Sequence, residues 1–300
     1  MLMQIGVSMK YKIITYILVC IICVLVIRLY VKESFYTTNT HVYKVELNMN
    51  KELQELVKAE NEAYDRLAYE QRVNRYTKLF PDMYVESIKP IIQVEEVKIA
   101  YLSFDDGPSK VTNQILDTLK EKEAKATFFI IAGNVTDEKV DYLKRMIDEG
   151  HSIGIHTFSH DYRDIYQSVE AYLEDFYKAY QLIYESTGVK STIFRFPWGS
   201  TNNYNKRIKN ELKSEMERRG FRFYDWNVSA EDSTGSPSAT RIKQNVLKDL
   251  ERFNSPIILM HDSAINKNTA KVLPDIVTII KEKGYTFDTL DNRAPYHFKY

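Results

Sequence analysis

Residues 98–109 read KIAYLSFDDGPS: an apolar run, then two adjacent carboxylates and a Gly-Pro turn. A run apolar on both faces suits a buried parallel strand, and carboxylates are costly to bury, so the pair marks the point where the chain leaves the core. The same form recurs downstream in ATFFII (126–131), HSIGI (151–155), TIFRF (192–196), FRFYDWNV (221–228), PIILM (256–260) and YTFDTL (285–290). β-branched and aromatic residues dominate these segments, as pleated, buried strands favour. Helical patterns fill the intervals near 111–123, 136–149, 167–187, 204–219, 238–252 and 269–283. Gly150, Gly188, Gly220 and Gly284 stand where helix C-caps belong. Such alternation with short connections predicts α/β architecture. Seven strands and six intervening helices fit a distorted (β/α)7 barrel, with a doubly wound open sheet as the alternative.

In a parallel α/β barrel the site forms at the C-terminal strand ends. Here the first strand ends in Asp105-Asp106-Gly107-Pro108, and the third in His156 with His160 following. The fourth ends in Arg195 and then Pro197-Trp198-Gly199. The fifth ends near Asn227 with Asp232 beyond it, and the sixth in His261-Asp262. Two imidazoles and a carboxylate form an open metal site, and a metal there lowers the pKa of bound water and polarises a carbonyl. A second carboxylate can take the water's proton and a third histidine can protonate a leaving amine. An arginine can orient the base, and a further carboxylate can hold the arginine. Taken singly, each piece has an ordinary structural reading: Asp-Asp-Gly-Pro is a turn, Arg195 a salt-bridge partner, His261 a core histidine. What sets them apart is their order along successive strand ends. The Tyr172, Tyr177, Tyr180 and Tyr184 spacing is that of a helix packing face rather than a sugar platform.

SFDDGPS (103–109), HTFSH (156–160), RFPWG (195–199), WNVSAED (226–232) and LMH (259–261) resemble the five ordered motifs of the polysaccharide deacetylases, the NodB-homology group or carbohydrate esterase family 4. The resemblance covers residues 98 to 290 and implies a distorted (β/α) barrel with a divalent metal, zinc first, with cobalt, manganese or nickel as substitutes. It implies Asp105 as catalytic base and Asp106, His156 and His160 as metal ligands. It implies Arg195 as the residue positioning the base, Asp232 as the carboxylate tethering that arginine, and His261 as catalytic acid. The Trp198 backbone amide matches an oxyanion donor, and Leu259 lines the pocket for the substrate methyl. Phe196 and Trp198 replace a common Pro and Tyr, and Ser229 and Ser233 replace an Asp and an aromatic residue. These departures bear on groove shape and substrate identity more than on chemistry.

The function that follows is removal of acetyl groups from N-acetylglucosamine-type residues of a cell-wall or surface polysaccharide, such as peptidoglycan or poly-N-acetylglucosamine. Two other readings compete: an O-acetyl esterase on a glycan such as xylan, and a non-catalytic glycan-binding protein. Retention of base, ligands, arginine and acid together disfavours the last. The 41 Lys and Arg residues balance 41 Asp and Glu, so there is no cationic surplus for nucleic acid. Oligomeric state is not legible.

The chain opens differently. Residues 13–27 read IITYILVCIICVLVI without a charge, and the run extends to residue 31 past Arg28. This predicts a single-pass signal anchor at 13–31 behind a short cytoplasmic segment, 1–12, with Met9 as an alternative start. No small-x-small cleavage site follows. The expected location is the cell membrane with the catalytic domain outside. Cys20 and Cys23 lie in the apolar run and predict no soluble disulfide. Residues 32–95 read as a partly helical stalk, with Leu53, Val57, Tyr64 and Leu67 at helical spacing, and 96–300 as the catalytic domain.

Overall fold

The computed structural model describes residues 39–86 and 97–298, with Tyr16, Cys20, Ile21, Cys23, Val24 and Ile27 from the segment before them. The expected anchor at 13–31 lies mostly outside the described residues. Among those described, no helix is long and apolar enough to cross a membrane, and Cys20 and Cys23 are free.

The chain divides into two compact units, residues 1–71 and 72–300. In the first, helix α1 (Asn39–Thr77) carries the expected stripe, and Leu53, Val57, Tyr64 and Leu67 are all exposed. The second unit begins at Arg72 and so takes in part of the stretch expected as stalk. Tyr76 and Met83 are buried in its core. The fully buried Arg219 explains the difference. Its guanidinium donates to the carbonyls of Tyr76, Leu79, Phe80 and Met83 and to Glu215. One side chain thereby gathers a carbonyl of the last turn of α1 and three from the segment that follows it.

The second unit is an α/β parallel-sheet half-barrel. Its strands are β1 (Ile99–Gly107), β2 (Ala126–Ile130), β3 (Ser152–Ile155), β4 (Ile193–Phe194), β5 (Arg222–Phe223), β6 (Val228–Ser229), β7 (Ile257–His261) and β8 (Thr286–Phe287). Their order is β5-β4-β3-β2-β1-β7-β6, with β8 beside the start of β1, and every pairing is parallel. Helices α2 (Thr112–Glu121), α3 (Asp137–Asp148), α4 (Tyr162–Ile165), α5 (Val169–Thr187), α6 (Lys209–Arg218), α7 (Ala239–Leu250) and α8 (Lys267–Glu282) make the crossovers. Gly150, Gly188, Gly220 and Gly284 are left-handed at helix ends, as expected. Of that tyrosine row on α5, Tyr172 and Tyr180 are buried, Tyr177 is half-buried and Tyr184 is exposed, so only part of it faces the core.

The segment expected as one strand over 221–228 is two short ones, β5 and β6, and no ladder joins them among the described residues. The C-terminal tail accounts for the break. Asp225 N–H donates to the Tyr296 carbonyl, and the Asp225 carboxylate accepts from Phe298 N–H and from Ser200 N–H and Oγ. The Asp225 N–H thus bonds to the tail, while the Tyr224 and Asn227 N–H groups on either side bond to β4 and β7.

Two apolar layers result. The larger lies between sheet and helices. The smaller fills the concave side with Tyr101, Phe129, Ile193, Tyr224 and Ile257. Side chains two residues further along the same strands share that face, and here they are Ser103, Arg195 and Leu259. At Ser103 and Arg195 that face turns polar toward the C-terminal rim, while Leu259 stays apolar. Gly154 on β3 permits this filling: a Cβ there would lie 2.4 Å from the Phe129 ring.

Candidate active site

Asp105 and His261 are opposite each other in the β1–β7 register. Asp105 is buried, and its Oδ1 accepts from Arg195 Nη1 at 2.7 Å. The guanidinium is held through two of its nitrogens: Nη1 also donates to Ser103 Oγ at 2.9 Å and Nε donates to the Tyr224 carbonyl at 2.8 Å, while its carbon stands 4.2 Å from the Phe129 ring centroid and the buried Nη2 has no partner among the described residues. A buried, hydrogen-bonded ion pair of this kind holds its carboxylate in one orientation.

Asp106 turns the other way, with φ of 73°, and His160 and Thr157 are also left-handed. Such conformations are uncommon outside glycine and cluster at functional sites. They bring Asp106 Oδ1 to 3.6 Å from both His156 Nε2 and His160 Nε2. All three donor atoms fall within 4.8 Å of one another. Ligands about 2.1 Å from a tetrahedral zinc stand roughly 3.4 Å apart, so the observed spacing fits a divalent ion. His156 Nδ1 donates to the Arg195 carbonyl at 2.8 Å, leaving Nε2 as the donor atom. Burial, reinforced by His160, pushes the His156 pKa down to about 3, so the ring is neutral as a ligand must be. The same residue whose side chain orients Asp105 thus orients a ligand through its backbone.

The rim's other imidazole differs. His261 Nδ1 stands 2.7 Å from Asp232 Oδ1, and His261 N–H donates to Oδ2 at 2.9 Å. Thr269 Oγ1 donates to the same oxygen, and Asn266 Nδ2 donates to the Asp232 carbonyl. Burial opposes charge on His261, but the Asp232 hydrogen bond and charge, with Asp105 and Asp106 behind them, raise its pKa to about 9. This corrects the expected role of Asp232, which binds His261 and not Arg195. β7 lies between β1 and β6, and the β6–β7 register sets residues just past Ser229 beside the end of β7. Asp232 therefore meets His261, while Arg195 reaches Asp105 from β4.

Trp198 is left-handed and 40% exposed, and its indole stands 4.5 Å from the His160 ring centroid. Leu259 is buried on the face of β7 that carries His261. The expected site residues thus gather at one rim. Sequence reasoning overlooked Ser103, visible only as a polar residue in an apolar strand, and the buried Asp262. Burial raises the Asp262 pKa to about 7 against the opposing hydrogen bonds from Thr112 and Ser109. Those donors lie at 2.6 and 2.9 Å, and Asp262 N–H donates to the Asp105 carbonyl. Asp262 thereby buttresses the turn after both carboxylates.

Comparison with known proteins agrees with this geometry. The family model for polysaccharide deacetylase matches residues 93–216. A peptidoglycan-N-acetylglucosamine deacetylase of Bacillus cereus is 35% identical over 209 residues, covering 68% of this chain and 72% of that protein. The catalytic domain of peptidoglycan N-acetylglucosamine deacetylase from Eubacterium rectale superposes with a TM-score of 0.66 at 32% identity, covering 71% of this chain and 97% of that one. A polysaccharide deacetylase from Bacillus cereus gives 0.60 at 35% identity, covering 67% and 97%.

Proposed function

Since this chain belongs to the polysaccharide deacetylase family, we propose that it is a metal-dependent N-deacetylase acting on N-acetylglucosamine-type residues of a cell-wall polysaccharide, peptidoglycan foremost. The observation that carries this is the meeting, at one rim, of a three-residue metal set, a carboxylate held by arginine and an imidazole held by carboxylate. The relatives named above for peptidoglycan N-acetylglucosamine support the substrate.

Asp106, His156 and His160 would hold the ion, zinc by the two-imidazole, one-carboxylate donor set, and it would supply Lewis-acid polarisation of the acetyl carbonyl and of water. Asp105 takes the proton of the attacking water, with Arg195 fixing which oxygen faces it. His261 is protonated at neutral pH, and its Nε2 gives that proton to the departing sugar nitrogen while Asp232 stabilises the imidazolium. The Trp198 backbone amide donates to the oxygen that gains charge, and Leu259 receives the acetyl methyl. The apolar run at 13–31 serves as a membrane anchor with the enzyme unit outside, where such polymers occur.

The test is mass-spectrometric measurement of acetate release by the full chain from a panel of N- and O-acetylated glycans. Release from N-acetylated glycans is expected. Release from O-acetylated xylan alone would replace this reading with that of an O-acetyl esterase.

A further inference from the structure

The candidate oxyanion donor, the Trp198 N–H, belongs to a turn that Gly199 N–H closes on the Phe196 carbonyl at 2.8 Å. Pro197 and Trp198 are its two central residues, and Trp198 has a φ of 61°. A turn with proline first and a left-handed residue second has the form of type II, whose second central residue is usually glycine. A bulky side chain there is strained and persists only where the surroundings hold it.

What holds it lies at the other end of the same peptide group. The Pro197 carbonyl accepts two hydrogen bonds, from the Tyr166 hydroxyl at 2.9 Å and from Asn202 Nδ2 at 3.2 Å. Tyr166 is buried, and burial pushes its hydroxyl well above the ordinary phenol pKa, so it keeps its proton to donate. Asn202 is itself tied down. Its Nδ2 also donates to the Gly199 carbonyl, and its Oδ1 accepts from the N–H of Tyr204 and of Asn205. Ser200, next in the chain, is fixed by giving its N–H and Oγ to the Asp225 carboxylate. The Trp198 N–H, by contrast, has no partner among the described residues.

The peptide between Pro197 and Trp198 is trans, and a trans peptide is planar with its N–H and C=O pointing in opposite directions. Fixing the carbonyl therefore aims the N–H. Hydrogen bonds to the carbonyl oxygen also draw electron density from the nitrogen, which makes the N–H a stronger donor. Neither Tyr166 nor Asn202 lies within the five motifs. We propose that Tyr166, with Asn202 beside it, is a positioning residue for deacetylation. Through the Pro197 carbonyl it aims and polarises the Trp198 N–H toward the oxygen that gains charge. This rests on the glycan deacetylase reading above.

Tyr166→Phe tests it, because the buried ring stays and only the hydroxyl goes. In acetate release from the tetramer of N-acetylglucosamine by the full chain, kcat should fall about tenfold, part of the roughly 100-fold or more that losing an oxyanion donor outright costs. KM should hardly change, since the donor bond strengthens only as the carbonyl oxygen gains charge. Metal content should hold. A fall in kcat accompanied by lost metal or a raised KM would mark a merely structural role and overturn the assignment. A second readout does not depend on turnover. The chain has two tryptophans, Trp198 and Trp226, so an isotopic nitrogen label on tryptophan alone gives two backbone amide signals in NMR, told apart with Trp226→Phe. Tyr166→Phe should shift the Trp198 amide proton upfield and leave that of Trp226 in place. An unmoved Trp198 signal, or a kcat equal to that of the unaltered protein, would equally overturn the assignment. Absence of acetate release from every N-acetylated oligomer by the unaltered protein would overturn the deacetylase reading instead, and the Trp198 signal would still report whether Tyr166 polarises that amide.

Discussion

The ends of β3 and β7 each present an imidazole to the same reaction centre, buried at His156 and half-buried at His261, and the two rings have opposite properties. At the end of β3, His156 Nδ1 meets a neutral carbonyl, that of Arg195, and the pKa lies near 3. At the end of β7, His261 Nδ1 meets the Asp232 carboxylate, and the pKa lies near 9. Burial works against charge in both. The Nδ1 partner decides: a carbonyl selects the tautomer without paying back the desolvation, whereas a carboxylate more than offsets it. One ring is kept neutral to bind an ion, and the other is kept charged to give up a proton.

The largest break in this contrast comes from the metal set, His156 and His160 past β3 together with Asp106 of β1. Asp106→Asn or His160→Ala removes one of three ligands, and kcat/KM should fall by roughly 1,000-fold or more, the several kcal/mol expected of Lewis-acid assistance. Chelation of the unaltered protein should abolish activity, and added divalent ion should restore it. Next comes the base. Asp105→Asn keeps the shape of the side chain and touches no ligand role, so kcat should drop by about 100-fold or more in steady-state assays while metal content holds.

A smaller effect sharpens the β7 side. Asp232→Asn removes the charge that holds the proton on His261, so the alkaline limb of the pH–rate profile should move to lower pH. Stability should change with a definite sign. The folded pKa of His261 is raised above its ordinary 6.5 to about 9, so its contribution is complete below pH 6.5 and disappears as pH rises through 9. The Tm difference between the unaltered protein and Asp232→Asn should accordingly be largest near pH 6 and shrink toward pH 10. Smallest is Asp262→Ala, which strands the Ser109 and Thr112 hydroxyls beneath the turn. It should cost about 1–3 kcal/mol in denaturant unfolding.

The rim was legible because residues costly to bury stand out at the ends of apolar strands, as Asp105, Asp106, Arg195 and His261 do. Which of them touch was not. Asp232 was expected on Arg195, and its true partner follows from β7 lying between β1 and β6, a strand order that adjacent sequence does not encode. The reach of the compact unit back to residue 72 was hidden for a similar reason. Residues 72–86 follow directly on the charged helix, and the partners that tie them down, Glu211, Arg218 and Arg219, lie far along the chain. Likewise, 221–228 has the composition of one strand, and the break at Asp225 depends on a tail some seventy residues later.

The central claim is that the end of β3, with Asp106 of β1, holds the ion and the end of β7 holds the proton. Its most direct test is the metal content of purified His156→Ala and His261→Ala proteins, measured by elemental mass spectrometry beside kcat. Both should be nearly inactive. The account predicts that His156→Ala is depleted of metal and that His261→Ala carries as much as the unaltered protein. A His261→Ala protein that loses its metal, or a His156→Ala protein that keeps it, would contradict the division of labour between the two strand ends.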